Sequence, residues 1–117
     1  MTPEGDAVDD VLGALADPMR RRILSVLAAQ GAGTATTLAA ELPVSRQAVV
    51  KHLAILDRAG LVAGRRSGRE VRYVVSPQSL EATARWMAGL AAEWDVRLRA
   101  IKRLAESGTA PGTDADG

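Results

Sequence analysis

Arg46, Gln47, Val50 and Lys51 bring together, in one short stretch, the side chains that read base-pair edges. A guanidinium or ammonium can donate to O6 and N7 of guanine, a carboxamide matches adenine, and a valine methyl can touch the thymine methyl. Their spacing of i, i+1, i+4 and i+5 puts all four on one side of a helix. Ser45, directly before them, is a helix-capping residue. The plain alternative is a solvated helix face, but an exposed Val50 among polar neighbours has no purpose on such a face. A second group, Arg65, Arg66, Arg69 and Arg72, follows in a turn-containing segment. It suits phosphate or minor-groove contact better than a set of solvated turn charges. His52 is the chain's only histidine. Zinc takes four ligands, so a lone imidazole is expected to meet a phosphate or pack beside the turn, not to hold a metal. Arg20, Arg21 and Arg22 divide between pairing with upstream acids, solvation and contact with a nucleic-acid backbone.

Catalytic constellations are missing. The chain has no cysteine, no serine, histidine and acid set for nucleophilic attack, no GxxxxGK[ST] and no GxGxxG after a strand. Ser67-Gly68-Arg69 reads as a turn, not a phosphate cradle. No enzymatic activity and no cofactor are expected.

Those groups need elements to hold them. Val8, Val11, Leu12 and Leu15 recur at i, i+3, i+4 and i+7, which predicts a first helix. Residues 1–6 carry Pro and Gly without periodicity and are expected to be flexible. Asp17-Pro18, a cap followed by a proline, opens a second helix to about Gln30, with Met19, Ile23, Leu24 and Leu27 inward. Gly31 and Gly33 end it. Thr34 caps a short third helix through Leu42, and Pro43 stops it. Ser45 starts the fourth, with Ala48, Val49, Leu53 and Leu56 inward, and Gly60 closes it. Leu61–Arg66 and Val71–Val75 are strand candidates around the turn at 67–69. Ser76-Pro77 starts a last helix to about Glu106, striped by Met87, Leu90, Trp94, Leu98, Ile101 and Leu104. Residues 107–117 can bury nothing and are expected to be disordered. The order α1-α2-α3-α4-β-β-α5, mainly α with a small β-hairpin, is that of a winged helix-turn-helix spanning residues 7–106.

At 117 residues and 47% hydrophobic, the chain fits one modest core, built without Phe. The net charge of +1 conceals a strong asymmetry. Residues 1–17 sum to −5, whereas nine Arg and one Lys against three acids give residues 18–75 a charge of +7. A basic block of this kind is the footprint of a polyanion binder. The first residues lack a basic region followed by an apolar one, and no apolar run approaches a membrane span. A cytoplasmic protein without a membrane partner is expected.

Two segments carry a family resemblance. Ala14-Leu15-Ala16-Asp17-Pro18-Met19-Arg20-Arg21-Arg22-Ile23-Leu24 resembles the opening A-L-(A/S)-D-P-x-R-x-x-I-L of ArsR-type (arsenic-repressor-like) transcription regulators. Residues 45–62, with Val49, His52-Leu53, Leu56 and Ala59-Gly60-Leu61-Val62 at the matching positions, resemble their S-x-x-x-V-S-x-H-L-x-x-L-x-x-A-G-L-V helix. The resemblance covers residues 8–106. It implies a homodimer that uses α1 and α5 as its interface and binds double-stranded DNA at a pseudo-palindromic operator, as a repressor. Val8, Leu12 and Leu15 of α1, and Trp86, Met87, Leu90, Trp94, Leu98 and Ile101 of α5, are the expected interface residues. Ser45, Arg46, Gln47, Val50, Lys51 and His52, with the four hairpin arginines, are the expected DNA contacts. Metal-sensing members use Cys in α3 or Asp and His in α5; this chain lacks those sets and resembles a branch without metal sites. The apolar residues of α5 could instead line a small-molecule effector pocket. A winged helix that binds protein would show an apolar α4 front and few basic wing residues, the reverse of this pattern.

Overall fold

A computed structural model describes residues 3–107. They form α1 (Pro3–Leu15), α2 (Pro18–Gln30), α3 (Ala35–Glu41), α4 (Arg46–Arg58), β1 (Val62–Ser67), β2 (Glu70–Val75) and α5 (Pro77–Glu106). The chain divides into two compact units, one ending at Thr83 and one starting at Ala84.

In the first unit, α1 buries Val8, Val11 and Ala14. The inward stripe advances by i+3 steps, so Leu12 falls off it and stays exposed, and Leu15 is half-buried. The helix begins at Pro3, ahead of the expected start after residue 6. Proline is suited to a first helical position because its missing N–H would have no partner there, and acidic Asp6 lies near the positive end of the helix. The tail expected to be disordered lies, from residue 108 onward, outside the described residues, as do residues 1–2.

Each helix end has a local cause. Asp17 is extended (φ −91°) and its Oδ1 accepts from the backbone N–H groups of Met19 and Arg20, at 2.7 and 3.3 Å. Pro18 then occupies the first position of α2. Thr34 and Thr37 form a reciprocal capping box at the start of α3. Ser45 Oγ accepts from the Ala48 N–H at 3.1 Å, opening α4. At the far end of α4, the Gly60 N–H reaches Asp57 O at 2.9 Å and the Leu61 N–H reaches Leu56 O at 2.9 Å. Those two bonds, with Gly60 at φ +78°, are a Schellman motif, and Leu56 and Leu61 are both fully buried beneath it. A Cβ on Gly60 would stand 2.6 Å from Ser79 Oγ, so glycine is required for space as well as for φ.

β1 and β2 pair antiparallel from Val62↔Val75 to Ser67↔Glu70, leaving Gly68-Arg69 as a two-residue turn. Gly68 has φ +64° and Arg69 has negative φ, the pattern of a type II′ turn. The hairpin is tied to the helices by a contact with no sequence signal. Gly33, between α2 and α3, exchanges backbone hydrogen bonds with Tyr73 at 3.0 and 2.8 Å. The core beneath is Ile23 and Leu27 of α2, Leu38 of α3, Val49, Leu53 and Leu56 of α4, and Leu61 and Val62. Each such side chain contributes about 1.5–3 kcal/mol on full burial.

α5 opens in the first unit, where Thr83 is buried. From Ala84 onward its large apolar side chains are exposed, Trp94 at 50% and Ile101 at 59%. Among the described residues no helix is long and apolar enough to cross a membrane.

A candidate nucleic-acid interface

α4 is two-sided. Val49, Leu53 and Leu56 are buried and Ala48 is half-buried, whereas Arg46, Gln47, Val50 and Lys51 project from the other side. The polar front follows from the buried back, because residues one turn apart share a face. Arg46 is not a free cation: its Nε donates to Thr36 Oγ1 at 3.1 Å, which braces it against α3. Between this front and the hairpin lies a groove of about 270 Å³, bordered by Arg46, Val50 and Leu53 on one side and Arg69, Val71 and Tyr73 on the other.

The hairpin register divides the four arginines that the sequence groups together. Arg65 and Arg72 are direct cross-strand partners on the outer face, Arg66 pairs with Val71 on the opposite face, and Arg69 sits in the turn. All four are exposed. Like charges placed directly opposite each other are destabilising. Among the described residues the ion pairs are Arg20–Asp17 and Arg99–Asp95, neither of them on the hairpin. The outer face therefore carries Arg65 and Arg72 side by side, with Glu70 the one acid on the same face and in no ion pair with them.

His52 does not stand with the front of α4. It is half-buried and its Nδ1 faces Arg20 Nη1 at 3.4 Å. The same guanidinium donates through Nε to Ala14 O at 2.7 Å and through Nη2 to Gly13 O at 3.3 Å. Asp17 Oδ2 is 3.8 Å away. Arg21 Nη1 donates to Leu15 O. Two arginines of α2 thus supply donors to the orphan carbonyls of α1, whose own last turn has no basic residue. Arg22 is simply exposed. Partial desolvation of Asp17 opposes its ionisation. The backbone N–H groups of Arg20 and Met19 and the nearby Arg20 charge outweigh this and hold its carboxyl below the ordinary value.

The expected interface residues are placed unevenly. Val8 is 3% exposed and already committed to its own chain, so it has nothing further to bury. Leu12 is free, and Leu15 is half-buried against the core. Trp86, Met87, Leu90, Trp94, Leu98 and Ile101 are all exposed on α5. The Arg97 guanidinium lies 5.2 Å from the Trp94 ring centroid, a cation–π distance. Among the described residues no group of three or more His, Cys, Asp or Glu is placed to hold a metal ion.

Comparison with known proteins places this geometry. The family model described as a helix-turn-helix domain matches residues 15–65. The transcriptional repressor SdpR of Bacillus subtilis is 31% identical over 80 residues, 68% of this chain and 88% of that protein. An ArsR-like transcriptional regulator from Rhodococcus sp. RHA1 superposes with a TM-score of 0.81 at 43% identity, over 91% of this chain and 99% of its own. The solution structure of the homodimeric winged helix-turn-helix DNA-binding domain of Mb0332 from Mycobacterium bovis, a possible ArsR-family regulator, matches with a TM-score of 0.58 at 31% identity, over 77% of this chain and 80% of that one. On fold order, on both recognised segments and on these likenesses, the chain belongs to the ArsR-like family of winged helix-turn-helix transcriptional regulators, DNA-binding proteins and not enzymes.

Proposed function

We propose that the protein is a homodimeric repressor that places its two α4 helices in successive major grooves of an imperfect inverted repeat. The two grooves lie about 34–36 Å apart, one helical turn. Arg46, Gln47, Val50 and Lys51 read base edges. Ser45, at the helix start, and Arg65, Arg66, Arg69 and Arg72 of the hairpin hold phosphates. The observation that carries this reading is the front of α4: one apolar and three polar or basic side chains project together from a helix whose back is locked in the core. The subunits meet through the exposed stripe of α5, with Leu12 of α1 as a further contact. The likeness to the homodimeric Mb0332 domain supports the assembly. A regulator of this kind works in the cytoplasm, where the DNA is.

Selection of bound sequences from random duplex DNA tests the proposal. An enriched inverted repeat with half-sites one turn apart is the expected result; a single half-site or no enrichment would overturn it. On the selected sequence, Lys51→Ala should weaken binding by about 1–3 kcal/mol if Lys51 reads a base, with the melting temperature unchanged because Lys51 is exposed. Equal binding by mutant and wild type across a salt titration would remove Lys51 from the contact set.

A further inference from the structure

The apolar back of α4 holds the helix against the core, and Arg46 ties its first turn to α3. A directional constraint comes from Arg20. Its side chain is only 14% exposed, and its guanidinium carries donors but no acceptor. Nε and Nη2 are spent on Ala14 O and Gly13 O at the end of α1. Nη1 points at His52 Nδ1, 3.4 Å away, one residue after Lys51 on α4. Because the guanidinium can only donate, Nδ1 must be the acceptor and the imidazole proton resides on Nε2. Asp17, the cap of α2 itself, stands beside the same guanidinium, with Oδ2 3.8 Å from Nη1. One side chain of α2 therefore reaches α1 and α4 together.

We propose that Arg20 is a positioning residue for operator recognition: through His52 it fixes the angle of α4 against α1, and so sets the half-site spacing that the dimer accepts. The proposal rests on the dimeric reading given above, with α1 contributing to the interface. Arg20 touches no DNA in this scheme. It differs in that respect from Lys51 and the hairpin arginines, although all belong to the same basic block.

The test measures affinity of the full chain for inverted repeats whose half-site spacing is varied one base pair at a time, at several salt concentrations. Wild type should show one sharp spacing optimum. Arg20→Gln should lose about tenfold at that optimum and much less at neighbouring spacings, giving a flattened profile with an unchanged salt slope. His52→Leu should flatten the profile in the same way. His52→Asn should restore it, because the Asn side-chain oxygen can take the place of Nδ1 as acceptor. The Arg20→Gln, His52→Leu double variant should be no worse than either single one. A uniform loss at every spacing, with the slope of log K against log salt reduced by about one, would make Arg20 a phosphate contact and overturn the proposal. So would an unchanged profile. If Arg20→Gln fails to fold by circular dichroism, the two His52 variants decide the matter, since they leave the α1 carbonyls bonded. If wild type itself has no preference for inverted repeats, the dimeric reading fails and the proposal with it, a result distinct from the other two.

Discussion

Asp17 illustrates how one side chain can serve two ends. Its Oδ1 closes the start of α2, and its charge faces Arg20 beside α4. Its carboxyl lies below the ordinary carboxylate value in the folded chain, so the stability it contributes is present above about pH 3.9, the unfolded value, and is lost as pH falls through the folded one. Asp17→Asn keeps a capping oxygen but loses the charge. The variant should melt below wild type at neutral pH, and the gap should close towards pH 2; parallel melting curves at every pH would show that the charge contributes nothing. At this scale the sequence was legible only in part. The exposed front of α4 could be read from its spacing, because helical periodicity reports which face a residue occupies. Where a long arginine ends is not periodic. Arg20, Arg21 and Arg22 are adjacent and chemically identical, yet the first is braced inside, the second bonds a helix end and the third is exposed. The sequence left His52 between a phosphate and packing beside the turn for the same reason: an imidazole on the edge of a helix can turn either way, and its partner lies 32 residues earlier.

The elements themselves were announced by punctuation. Asp17-Pro18, Thr34, Ser45, Gly60 and Ser76-Pro77 each mark a boundary found in the fold, because caps and glycine stops act through bonds within a few residues. The start of α1 had no such mark apart from Pro3, and the Gly33–Tyr73 bridge had none at all, since it joins segments far apart in the chain. The Schellman end of α4 gives a sharp prediction. Gly60→Ala meets both a left-handed backbone, costing roughly 1–2 kcal/mol, and the Ser79 hydroxyl. Thermal unfolding should show a loss of at least that size, and Gly68→Ala, which has positive φ but open space around it, should lose less. Equal losses at the two positions would mean that Ser79 yields freely.

In the molecule as a whole, the second unit leaves two tryptophans and a line of aliphatic side chains exposed on one helix. A stripe of this kind marks an interaction surface. Trp94→Ala should raise the dimer dissociation constant about 30-fold or more, the effect of removing an interface anchor worth about 2 kcal/mol. Sedimentation equilibrium would measure it, and helical content at high protein concentration should be unchanged because Trp94 is not part of the first unit's core. A variant that stays dimeric at nanomolar concentration would exclude Trp94 as an anchor. The periodic stripe was legible in the sequence; its being uncovered in a single chain was not, because amphipathicity gives a helix's apolar side without saying what covers it.

Arg65 and Arg72, facing each other across the hairpin, bear on how the regulator finds its target. Their repulsion is relieved by any phosphate, whatever the base sequence beside it. If the hairpin contacts DNA as proposed, it would settle on ordinary duplex, where counterion release supplies the driving force and the hold loosens steeply with salt. A molecule held this way would slide and hop along duplex, and its search for a proposed operator would be shortened by sliding between hops.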